Sequence, residues 1–106
     1  MRRGEVWLVT LNPVKGSEQD GARPAIIISP DTMNKSLDTK VVIPLTTKAR
    51  SWPSRVKTEF NNESGQAMCE QIRTISSKRL VKKLGNVSDG ELVEILRTVA
   101  ALYGCP

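Results

Sequence analysis

For most of its length the chain uses one apolar pattern, and it changes to another near its end. From Gly4 to Ser76 the apolar residues come in short runs rich in valine, isoleucine, threonine and aromatics, bounded by Pro, Gly, Asn, Asp or Ser. Such runs read as strands separated by turns. GEVWLVTL (Gly4–Leu11) is the first, and RPAIIIS (Arg23–Ser29) the second. Pro24 stands at the start of that run, where a missing N–H is tolerated. VVIPLT (Val41–Thr46) is the third, and its internal Pro44 points to an edge or a bulge. RVKTEF (Arg55–Phe60) alternates Val56, Thr58 and Phe60 against Lys57 and Glu59, as a half-exposed strand does. QAMCEQIRTIS (Gln66–Ser76) is the fifth. Polar loops lie between them at residues 12–22, 29–40 and 47–54, and NNESG (61–65) carries turn chemistry.

After Ser76 the period lengthens. SKRLVKKLG (Ser77–Gly85) reads as a short helix stopped by its glycine. Ser88 and Glu91 have the S-x-x-E spacing of a capping box, in which each side chain satisfies a backbone donor at a helix start. The segment that follows sets Leu92, Ile95, Leu96, Val99 and Tyr103 on one helical face, with Gly104 as its end. Strands first and one long amphipathic helix last predict a mainly β fold with α: a small antiparallel sheet or barrel with the helix packed on it. One domain over residues 1–106 suits the length, which suffices to bury a core without staples.

Lys and Arg number 16 against 11 Asp and Glu, a net charge of +5. This favours an anionic partner, nucleic acid first, beside the plainer reading of solubility. The two cysteines, Cys69 and Cys105, are far apart and without metal-site spacing, which suits a reducing compartment. MRRGEVWL has no apolar leader core, and no run reaches the ~20 residues needed to span a bilayer. The expected location is cytoplasmic, with no membrane partner.

The sequence has no histidine. The usual acid–base group near neutral pH is therefore missing, as are Ser-His and Cys-His nucleophiles and the ordinary zinc sets. No metal and no cofactor is expected, and GSEQDG does not match a phosphate-loop pattern. One reaction fits the remaining inventory: scission of RNA by its own 2′-hydroxyl. The nucleophile then belongs to the substrate. The protein must align it, accept its proton and steady the charge on phosphorus. Arginine forks and hydroxyl donors do the last of these, at about 3–4 kcal/mol per preorganised donor.

RRGEVWLVTLNPVKGSEQDGARPAIIIS, then VVIPLTT, then CEQIRTISSKRL, resembles the MazF/PemK family of toxin endoribonucleases of type II toxin–antitoxin systems. The likeness spans nearly the whole chain and rests on several motifs in order. It implies an SH3-like antiparallel β-barrel (CcdB/PemK-like) with a short helix and a C-terminal amphipathic helix. It also implies a homodimer and metal-independent, sequence-selective cleavage of single-stranded RNA such as mRNA, leaving 2′,3′-cyclic phosphate and 5′-hydroxyl ends. A cognate MazE-like antitoxin with an acidic tail is the implied partner. CcdB-like toxins share the fold, bind DNA gyrase and cleave nothing, so a non-catalytic gyrase poison is the alternative.

The resemblance implies catalytic roles for Arg23, Thr46 and Glu18. Arg23, in G-x-R-P, would hold the scissile phosphate; the bland alternative is a salt bridge that closes the loop. Thr46 would donate its hydroxyl to the phosphate, a role open to Thr47 as well. Glu18 is either the base for the 2′-hydroxyl or an organiser of its loop. Ser17 and Gln19 are substrate contacts or loop hydrogen bonds. Lys48, Arg50 and Arg55 are expected to touch phosphates, and Trp52 to stack on a base or to cover the barrel. Glu70 is either a catalytic carboxylate or a substrate contact, and Gln71 and Arg73 are substrate-contacting or structural. Where some relatives carry an arginine two residues before the acidic position, this chain has Met68, so their chemistry does not transfer whole. Trp7 is expected in the core or a dimer interface, and Cys69 packed in the sheet.

Overall fold

The computed structural model describes residues 1–10 and 21–104. Its elements are β1 (Glu5–Thr10), β2 (Ala22–Ile27), α1 (Asp31–Ser36), β3 (Thr39–Thr46), β4 (Arg55–Phe60), β5 (Glu63–Met68), β6 (Arg73–Ser76), β7 (Leu80–Asn86) and α2 (Asp89–Tyr103). The strands form one curled antiparallel sheet in the order β4-β5-β3-β2-β1-β7, with β6 also paired to β3. The mainly β, barrel-like fold with a C-terminal helix is the expected one. Among the described residues no helix is long and apolar enough to cross a membrane.

Alternation along β2 and β3 sorts the core into two faces. Ile26, Ile43 and Leu45 join Val6, Val56, Ala67, Cys69 and Ile95 in the larger cluster. Ala25, Ile27 and Val42 face the other way, onto Val9, Ile75 and Leu80, with Trp7 packed against them. The Trp7 indole N–H donates to Glu5 Oε1 at 2.9 Å. Helix α2 seals the larger cluster through Leu92, Ile95, Leu96 and Val99. Its capping box forms as expected, with Glu91 N donating to Ser88 Oγ and Ser88 N to Glu91 Oε1, both at 3.1 Å. At its other end the Tyr103 hydroxyl donates to the Cys69 carbonyl at 3.2 Å, although the ring itself is exposed. β4 and β5 form a hairpin closed by Asn61 and Asn62, both in the left-handed region at φ +50° and +62°. That is the type I′ turn, for which Asn has the right tolerance.

Four expectations need correction. The polar loop after Ser29 contains α1, whose residues Asp31 and Asn34 bond back to Arg3 N and Ser29. The single strand Gln66–Ser76 is two strands, β5 and β6, divided by a 3₁₀ turn at Cys69–Gln71. Pro44 lies neither on an edge strand nor at a bulge. β3 is an interior strand whose outer partner changes from β6 (through Val42) to β5 (from Leu45), and Pro44 falls in the gap between them. The segment Ser77–Gly85 is not a helix: a 3₁₀ turn at Ser77–Arg79 leads into β7. Leu80, Val81 and Leu84 have helix-like spacing because two register shifts against β1 break the two-residue period. Pairing along β1 overrode the local pattern.

Candidate active site

β2 and β3 deliver the two residues on which the functional expectation rests. Their ladder pairs Ile27 with Val42, Ile26 with Ile43 and Ala25 with Pro44. That pairing ends at Ala25 and Pro44, and Arg23 and Thr46 lie two residues beyond it on the same two strands. Arg23 is exposed and Thr46 half-buried. Thr46 Oγ1 accepts the Lys48 N–H at 3.1 Å, so the hydroxyl proton remains for another acceptor.

Both side chains line a pocket of about 350 Å³. Thr47 and Lys48 border it on the same side. The β4–β5 hairpin completes the lining through Thr58, Phe60, Glu63, Ser64 and Gly65, and Pro24 and Leu45 add apolar surface. Thr58 is 1% exposed. Gly65 is dictated by space: a Cβ there would come within 2.8 Å of the Thr46 carbonyl oxygen. The site thus combines a cation, a hydroxyl donor and a carboxylate with an apolar wall, the inventory for one phosphate and an attached nucleoside.

A second constellation supports the loop between β3 and β4. Arg55 is turned inward, its side chain only 7% exposed. Its Nε donates to Glu70 Oε2 at 2.9 Å, and its Nη1 reaches the Lys48 carbonyl and Gln66 Oε1 at 3.3 and 3.2 Å. Its guanidinium lies 4.5 Å from the centre of the Trp52 ring. The other Glu70 oxygen accepts the Ser54 hydroxyl at 2.7 Å. Burial pushes the Glu70 carboxyl up, but the bonds from Ser54 and Arg55 and the arginine charge outweigh it, so the group is held below the usual carboxylate range. Burial, helped by the Glu70 charge, lifts the Cys69 thiol to about 11, as befits a core side chain.

The structure therefore gathers Arg23, Thr46, Thr47 and Lys48 at one pocket. Arg50 and Trp52 stand exposed on the adjoining loop. Arg55, expected at a phosphate, turns its Nε and Nη1 to protein acceptors. Glu70, Gln71 and Arg73 do not line the pocket. Ser17, Glu18 and Gln19 lie outside the described residues. Sequence reading missed Thr58, Phe60, Glu63, Gly65 and Gln66. The alternation of RVKTEF put Thr58 and Phe60 on the inward face, but nothing told which strand that face would meet. Among the described residues no group of three or more Cys, Asp or Glu side chains is placed to hold a metal ion.

Residues 2–103 match the family described as PemK-like, MazF-like toxin of type II toxin-antitoxin system. The chain belongs to this toxin family. Among MazF-like relatives, a Staphylococcus epidermidis protein named Endoribonuclease MazF is 40% identical over 102 residues, 90% of this chain and 84% of that protein. An endoribonuclease from a mycobacterial species superposes with a TM-score of 0.83 at 25% identity, covering 100% of this chain and 93% of that one. A mycobacterial endoribonuclease in complex with its cognate antitoxin does so at 0.83 and 26%, covering 100% and 97%. A Deinococcus radiodurans MazE–MazF crystal structure shares the fold, with a TM-score of 0.84 at 22% identity over 100% of this chain and 98% of that one. In this MazF-like chain the β2–β3 ladder and the β4–β5 hairpin enclose the pocket.

Proposed function

We propose that the chain is an endoribonuclease toxin that cuts single-stranded RNA such as mRNA, at a preferred sequence and without a metal. The single observation that supports this most is the meeting of Arg23 and Thr46, from neighbouring strands, at one pocket. The scissile phosphate docks on the Arg23 guanidinium, whose fork suits two phosphate oxygens. The Thr46 hydroxyl donates to a non-bridging oxygen. The 2′-oxygen gives up its proton and attacks phosphorus, the bond to the 5′-oxygen breaks, that oxygen takes a proton from water, and the products carry a 2′,3′-cyclic phosphate and a 5′-hydroxyl. A guanidinium is a poor acid near neutral pH, so Arg23 stabilises charge rather than giving its proton. Two carboxylates are candidates for the proton of the 2′-hydroxyl: Glu18, and Glu63 on the hairpin wall.

The relatives reported above carry endoribonuclease or MazF names, which favours this reading over a gyrase-binding toxin. A MazE-like antitoxin whose acidic tail covers the basic surface would neutralise the protein, a reading supported by the mycobacterial toxin–antitoxin complex. The working form is a homodimer.

The test is cleavage of single-stranded RNA in excess EDTA, with the ends identified. Cyclic phosphate ends are expected, and a 2′-deoxy nucleotide at the cut position should stop cleavage. Cutting that persists at that nucleotide would make water the nucleophile. Intact RNA together with inhibited gyrase would move the case to the other class.

A further inference from the structure

The loop that carries Trp52 is held to the pocket by bonds that the phosphate chemistry does not require. Gln66 stands opposite Thr46 in the β3–β5 ladder. Its carboxamide grips the Arg50 backbone at two points: Oε1 accepts the Arg50 N–H and Nε2 donates to the Arg50 carbonyl, both at 3.0 Å. An amide used this way imitates a rung of sheet. Arg55 adds a second tie from the far end of the loop, to the Lys48 carbonyl and to the same Gln66 oxygen. The Arg55 guanidinium, backed by Glu70, also lies against the Trp52 ring. Yet Trp52 remains 49% exposed, beside the exposed side chains of Lys48 and Arg50. A half-exposed indole held against the Arg55 guanidinium, with Arg50 5.9 Å from its ring centre, has the make-up of a stacking platform for a nucleobase.

We propose that Trp52 forms a base-stacking subsite for a nucleotide flanking the scissile phosphate, and that Gln66 and Arg55 are its positioning residues. They set the distance between that base and the phosphate held at Arg23 and Thr46, and so contribute to the choice of cleavage sequence. This rests on the RNA-cleaving reading above. Stacking tolerates any base face, so the register imposed by the loop, rather than the indole itself, does the selecting.

Two measurements test it. The first needs no cleavage: quenching of tryptophan fluorescence by short mixed-sequence single-stranded DNA, compared between wild type and Trp52→Phe, with Trp7 common to both. Quenching that depends on Trp52 is expected; none overturns the subsite, whatever the enzyme does to RNA. The second is steady-state cleavage with sequencing of the product ends. Trp52→Ala should raise KM roughly ten- to a hundred-fold with kcat little changed. Gln66→Ala should give the same split, and both should relax preference at one flanking position. A variant that only loosened the fold would lower the melting temperature without moving that preference. Arg55→Lys keeps the charge and loses the fork, so it should behave like Gln66→Ala. Wild-type KM and preference in Arg55→Lys would make Arg55 a simple cation and overturn its positioning role. Wild-type values in Trp52→Ala would overturn the platform. Failure of the wild type to cut any RNA would instead remove the proposed activity and leave the quenching result standing.

Discussion

Arg55 Nε and Glu70 Oε2 meet at 2.9 Å, with the arginine side chain 7% and the glutamate side chain 28% exposed. The pair fixes a loop, and it leaves Glu70 ionised and occupied, unsuited to taking a proton from a substrate. Glu70→Gln should therefore keep the shape of the pH–rate profile. Glu70→Ala should cost about 1–3 kcal/mol, the scale for stranding a buried polar partner. Thermal unfolding would show this as a fall of roughly 5–15 °C. Loss of the acid limb of the profile in Glu70→Gln would make it the base after all.

Arg23→Ala is expected to lower kcat by two or more orders of magnitude, the scale of one preorganised donor. Thr46→Ser keeps the hydroxyl and should retain most activity, whereas Thr46→Val should lose about as much as Arg23→Ala. Single-turnover cleavage measures both. Equal rates for Thr46→Ser and Thr46→Val would remove the hydroxyl from the reaction.

Gly65→Ala tests the geometry without touching a functional group. Its Cβ would meet the Thr46 carbonyl oxygen at 2.8 Å, so the end of β3 or the hairpin must shift. The expected result is a drop in kcat out of proportion to the change in melting temperature. Full activity would mean that the Thr46 position tolerates displacement.

Glu5 gives the fold an acid-sensitive joint. The carboxylate is 6% exposed, and its oxygens meet Arg2 N, the Trp7 indole N–H and Lys83 Nζ, the last at 3.1 Å. Burial pushes the group up, but these partners outweigh it and lower it from 4.5 to about 2. A folded value below the unfolded one means that the contribution is complete above about pH 4.5 and drains away as pH falls towards 2. The contribution is on the order of 3 kcal/mol. Urea midpoints of wild type and Glu5→Gln should differ most near neutral pH and converge in acid. A constant gap would show that the charge is not the source.

What could be read in the sequence depended on how local its cause was. The α2 cap and apolar face were legible because Ser88, Glu91 and the Leu92–Val99 residues act within a few turns of one another. Arg23 and Thr46 were singled out through the motifs around them, and the two residues line one pocket. β7 was not legible, because the register shifts that scramble its period are imposed by β1, far off in sequence. The inward turn of Arg55 was not legible for a related reason. A lysine- and arginine-bearing loop reads as a uniform basic surface, and only the acceptors at Glu70 and Gln66 separate the inward arginine from the outward ones.

The two walls of the pocket have a consequence for synthesis. Arg23 and Thr46 are present once β2 and β3 exist, but Thr58, Phe60, Glu63 and Gly65 arrive with the β4–β5 hairpin. A chain emerging from a ribosome has only half a cleft until residues up to Met68 have come out and paired. Truncated products that end earlier carry Arg23 and Thr46 without the hairpin residues that complete the cleft.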